Sequence, residues 1–104
     1  MKKTAKKKTA SKVNPLVVVR TVYAGVHIGE LVAHSGQSAT LRNARRLWRW
    51  RGANTLHEVS LRGVSDDYTR LSEPVASIDL TTVIERLPVS AAARDSLTRS
   101  RWAQ

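Results

Sequence analysis

Leu16-Val17-Val18-Val19-Arg20-Thr21-Val22-Tyr23 is the stretch on which the fold turns. Its first four residues are apolar at both odd and even positions, so an extended chain here is hydrophobic on both sides. β-Branched side chains favour that extended backbone. The stretch therefore reads as a strand buried on both faces or held centrally. Beyond it, Ala24-Gly25 can turn the chain, and Val26 to His34 alternates. Val26, Ile28 and Val32 fall on one side, and His27, Leu31 and Ala33 on the other. Ser35-Gly36 signals a second turn. Residues 37–42 read as a third strand, and Arg46 to Trp50 as a fourth after a break near Asn43. Together these segments predict an antiparallel meander.

The second half is punctuated by caps. Thr55-Leu56-His57-Glu58 has the spacing at which a threonine hydroxyl accepts from one free amide of a helix start while the glutamate reaches back to another. Gly63 supplies a stop. Asp66-Asp67 lies in a polar loop ending at Pro74, and Val75 to Leu80 and Val83 to Leu87 resemble further strands. Ser90 can cap a last helix from Ala91 to about Arg99, with Trp102 folding back on the sheet. The fold expected is α+β: a small antiparallel sheet or partial barrel with two short helices and a disordered N-terminal tail. Residues 1–14 form the tail and 15–104 a single domain.

Charge is unevenly laid out along the 104 residues, whose net charge is +10. All six lysines, Lys2, Lys3, Lys6, Lys7, Lys8 and Lys12, precede residue 13, with no acid among them. All twelve arginines follow, against eight acids, leaving +4. Lysine is a hydrated point charge on a flexible stem and suits a mobile arm; arginine's planar fork suits ordered hydrogen bonding and stacking. Met1-Lys2-Lys3 resembles the basic start of an export signal, but lysines follow where an apolar stretch is required. The longest aliphatic run, Leu16 to Val19, is far too short to span a bilayer. The chain is thus expected to be soluble and not exported, with no membrane partner.

The segment Arg42-Asn43-Ala44-Arg45-Arg46-Leu47-Trp48-Arg49-Trp50-Arg51 holds five arginines, two tryptophans and no acid. In a strand, Arg46, Trp48 and Trp50 would share one face, and Leu47, Arg49 and Arg51 the other. Two readings stand. Guanidinium forks beside exposed indoles grip phosphates and stack on bases. Alternatively, Trp48 and Trp50 fill the core of a domain that has no Phe, with the arginines solvated at its rim. Arg20 and Tyr23 could join the same surface, although Tyr23 more naturally packs in the core. The lysine arm would add affinity without reading sequence. Six lysines on duplex DNA would give a log–log salt slope of about −5. The candidate nucleic-acid or anion-binding set is therefore Arg42, Arg45, Arg46, Arg49, Arg51, Trp48 and Trp50 with the six lysines.

Catalytic and metal chemistry find little footing. Cysteine is absent, which excludes disulfides and thiolate sites. His27, His34 and His57 are far apart in sequence and lack paired acids. Gly36-Gln37-Ser38-Ala39 is followed by Thr40, so there is no nucleophile elbow, and no Walker or dinucleotide loop occurs. No enzyme, cofactor or metal is expected.

Ala24-Gly25-Val26-His27-x-Gly29-x-Leu31, Leu41-x-Asn43-Ala44-Arg45-Arg46-Leu47-Trp48-x-Trp50 and Gly52-Ala53-Asn54-Thr55-Leu56 resemble a family of small proteins from tailed bacteriophages and prophages. That family is labelled only as a domain of unknown function. The resemblance covers roughly residues 17–88 and implies a phage origin and a bacterial-cytoplasm setting, but supplies no activity or site residues. The expectation is a non-enzymatic accessory protein that binds a polyanion, nucleic acid foremost. The alternatives are a virion or assembly component held by protein contacts, including self-association, and a counter-defence protein that sequesters a small host nucleotide.

Overall fold

The computed structural model describes residues 14–99; the lysine arm and Trp102 lie outside the described residues. The opening strand, β1 (Leu16–Thr21), pairs antiparallel with β2 (Val26–Ser35) on one side and with β6 (Val83–Pro88) on the other. Its double-sided hydrophobicity is used accordingly. Leu16 and Val18 join one core cluster with Ile28, Leu47 and Leu71. Val17 and Val19 join a second with Ala39, Leu41, Leu80 and Val83. Val18 and Val19 are fully buried, and each such side chain contributes roughly 1.5–3 kcal/mol.

The expected break near Asn43 is a bulge, not a loop. β3 (Ser38–Arg49) runs unbroken for 12 residues and absorbs both the third and fourth expected strands. Its register against β2 passes from Glu30↔Arg42 to Ile28↔Arg45, so one extra residue is accommodated on β3. Asn43 takes a left-handed conformation, φ 52°. Gly29 makes room for it: a Cβ there would stand 3.1 Å from the Ala44 Cα.

Against its other edge β3 carries two short strands, β4 (Arg70–Leu71) at its C-terminal end and β5 (Val75–Leu80) along its first half. The strand order is β4-β3-β2-β1-β6, with β5 also on β3. The fold-class expectation is corrected on this point. The described chain is mostly antiparallel sheet, six strands with two short helices, and the sheet does not close. The cause is geometric. Thr81-Thr82 carries the chain from β5 on one edge to β6 on the opposite one, where Val22 N–H donates to Thr82 O and Val83 N–H to Gln37 O. The edges meet at that corner, but no ladder joins them.

The helices α1 (Leu56–Arg62) and α2 (Ala91–Leu97) supply Leu56, Val59, Ala93 and Leu97 to the first core cluster. The capping box forms as expected: Thr55 Oγ1 accepts from Glu58 N–H at 3.3 Å, and Glu58 Oε1 accepts from Asn54 N–H at 2.7 Å. Gly63 ends α1 at φ 82°. It also lets α2 approach, since a Cβ there would collide with Ser96 Oγ.

Candidate functional site

The bulge at Asn43 decides where the arginines go. Arg42 and Arg45 sit opposite Glu30 and Ile28, on the Ile28 side of the sheet; Arg46 sits opposite His27, on the other. Arg45 is half-buried and donates from Nη1 to Ser72 O at 3.5 Å. Burial lowers its pKa below the usual arginine value. Arg42 and Arg46 are exposed, and neither pairs with a carboxylate among the described residues. The five arginines do not form one face.

A second irregularity follows at Trp48. Leu47 pairs with Leu71, but the next pair is Arg49↔Arg70, so Trp48 is the extra residue. Strict alternation therefore fails. Trp50 packs half-buried on the same core cluster as Leu47, while Trp48 is 59% exposed. The expected shared face of Arg46, Trp48 and Trp50 does not exist: Trp50 belongs to the core and Trp48 to the surface.

Around Trp48 the chain builds a cationic–aromatic ridge. The Arg49 guanidinium carbon lies 5.2 Å from the Trp48 ring centre and 4.3 Å from that of Tyr68. Arg51 lies 4.7 Å from the same Tyr68 ring. Arg49 Nε donates to Tyr68 O at 3.0 Å, and Arg51 Nη1 pairs with Asp67 Oδ2 at 2.8 Å. Tyr68 has φ 72°, a backbone cost of about 1–3 kcal/mol for a bulky residue, which the two guanidinium contacts help to offset. Arg70 directly faces Arg49 across the strand pair and adds positive charge. Sequence reasoning missed Tyr68 and Arg70. Tyr68 stands in an acidic loop with no strand pattern, and only β4 brings it to β3.

In the polar loop, Asp66 pairs with Arg99 and Asp67 with Arg51. Tyr23, expected in the core, is 85% exposed. His27 is buried and hydrogen-bonds through Nε2 to Ala24 O at 2.9 Å. Burial pushes its pKa down from 6.5 more than that hydrogen bond raises it, and nearby Arg46 lowers it further. His34 and His57 are exposed, and no group of three metal-capable side chains occurs among the described residues.

Arg20 does not join the ridge. It lines a cleft of about 560 Å³ with Val26, Trp50, Asn54, His57 and Glu85. Arg20 and Glu85 are register partners on β1 and β6 and approach to 4.0 Å. The arginines do not converge on this cleft, since among the described residues Arg20 alone lines it.

The fold and ridge define an open antiparallel-sheet protein with an exposed cationic–aromatic strand end. The chain belongs to the family Domain of unknown function (DUF6948), whose model matches residues 14–97. No curated protein and no solved structure matches the chain. No helix among the described residues is long and apolar enough to cross a membrane.

Proposed function

We propose that this protein binds nucleic acid, without catalysing a reaction, through the ridge of Trp48, Arg49, Tyr68 and Arg51. The observation that carries the reading is Arg49 held against two exposed aromatic rings. Stacking fixes the plane of the guanidinium while its terminal nitrogens make no hydrogen bond among the described residues. Those nitrogens suit a phosphate, and the exposed Trp48 indole suits contact with a base. Arg70, opposite Arg49 on the neighbouring strand, extends the positive field. The lysine arm supplies charge-driven affinity on the strength of its sequence alone. The phage setting, in the host cytoplasm or the virion, rests on the resemblance carried by the Asn43–Trp50 string.

Titrating DNA and RNA at two salt concentrations while following tryptophan fluorescence tests the reading. Removal of residues 1–12 should flatten the salt slope, while Arg49→Ala should weaken binding about tenfold and abolish the fluorescence response. Full-strength binding by the Arg49→Ala protein would remove the ridge from the mechanism. A virion or assembly role is the second reading, favoured by the open edges at β5 and β6 with exposed Val75 and Ile84. Stoichiometric presence in purified particles would select it.

A further inference from the structure

The cleft lined by Arg20 and Trp50 differs chemically from a phosphate site. Its walls carry one arginine and one carboxylate directly opposite each other, so its charge is balanced. At 4.0 Å the Arg20–Glu85 approach is too long for a hydrogen bond, and neither side chain makes one elsewhere among the described residues. The side chains of Asn54 and His57 and the Trp50 indole N–H make none either: Asn54 and His57 take part in the hydrogen bonds of α1 only through backbone groups. Five polar side chains thus surround one cavity with their donors and acceptors unspent.

Trp50 couples this cavity to the ridge. It lies between Arg49 and Arg51 in the chain, packs on the core and lines the cleft. A strand held at Arg49 and Arg51 is thereby gripped at the two residues that flank the Trp50 of the cleft wall. A volume of about 560 Å³ falls in the range of small-molecule pockets. That is room enough for one unstacked base, whereas a base still paired and stacked in a helix cannot turn into it.

We infer that the cleft lined by Arg20, Glu85, Asn54 and Trp50 receives a single unpaired base from a bound strand, guanine before the others, and so makes binding selective for single strands. The inference rests on the nucleic-acid reading of the ridge. The chemistry of the wall gives the order of preference. A carboxylate accepts from two parallel donors, and guanine offers N1–H and the N2 amine side by side. The adjacent guanidinium donates to guanine O6. Thymine and uracil present one ring N–H between two carbonyls and leave half the carboxylate unmatched. A base within a duplex would have to unstack and unpair before entering, which favours an already single strand.

The test uses the full chain and three probes: a twelve-residue oligothymidylate, the same oligonucleotide with one central guanine, and the latter annealed to its complement. The single guanine should tighten binding about fivefold or more, and the duplex should lose that gain. Glu85→Gln and Asn54→Ala should each abolish the gain, read within each variant as the ratio of its affinities for the guanine-bearing and plain strands; both positions are solvent-accessible, and circular dichroism checks that the fold is retained. Equal binding of the plain and guanine-bearing strands would overturn the cleft inference and leave the ridge standing. Failure of all three probes to bind would overturn the nucleic-acid reading itself. Binding of free guanosine monophosphate with no binding of any strand would overturn the strand as the source of the base.

Discussion

The ridge and the cleft share the tripeptide Arg49-Trp50-Arg51 but spend their polar groups in opposite ways. On the ridge, Arg51 is paired with Asp67 and Arg49 is tied to the Tyr68 carbonyl. Its positive charge is oriented by internal contacts and partly offset. In the cleft, Arg20 and Glu85 stand close without hydrogen bonding. A count of arginines would rank the ridge first for binding. Hydrogen-bonding capacity left open ranks the cleft at least equal. Clustered charge shows where a polyanion is attracted, whereas unspent donors and acceptors show where it can be read.

The largest test of this contrast is Gly63→Ala, behind the helix that walls the cleft. The added methyl meets Ser96 Oγ, and φ 82° disfavours any side chain. Ser96 cannot simply rotate away, because its hydroxyl accepts from Val64 N–H at 3.0 Å. A loss of about 2–4 kcal/mol in urea denaturation is expected. If ridge and cleft form one cooperative unit, near-UV and far-UV signals will shift together.

Next in size is Tyr68, which separates the ring's contribution from its backbone strain. Tyr68→Gly relieves the left-handed conformation and should be more stable than Tyr68→Ala by about 1 kcal/mol. Both should weaken strand binding equally, because both remove the ring that holds Arg49 and Arg51. Unequal affinities would mean that backbone geometry, not the ring, orients the ridge.

Acid should affect the shared sheet through His27. Its pKa is lowered in the fold, so the unfolded chain takes up a proton first as pH falls. Stability contributed by neutral His27 is complete above pH 6.5 and declines as pH drops below that value toward the folded pKa. His27→Gln should flatten thermal stability across this window. The smallest effect is that of Asp67→Asn. The Arg51–Asp67 pair is solvent-exposed, so its loss should cost less than about 1 kcal/mol. The freed guanidinium should nonetheless tighten strand binding and steepen its salt dependence.

Several elements were legible because their signals are local. Leu16 to Val19 is apolar at successive positions, and only a central strand can bury both sets. Thr55, Glu58 and Gly63 announce the start and end of α1 through bonds spanning no more than four residues. The bulges were not legible. Asn43 and Trp48 each insert a residue, and each insertion reverses the inside–outside pattern for the rest of the strand. This is why Trp50 went to the core and Trp48 to the surface, and why one long strand replaced two. The expected α+β class was corrected because six strands outweigh two helices of seven residues each and the sheet stays open.

By itself the sequence determined the segregation of lysine from arginine, the central position of β1 and the caps of α1, because composition, parity and hydrogen bonds between near neighbours need no partner from afar. The tertiary structure alone decided that Tyr68 meets Arg49 across 19 residues of chain and that Arg20 on β1 faces Glu85 on β6. Those pairings depend on strand register, and register is set by the sum of packing over the whole sheet, not by any stretch read alone.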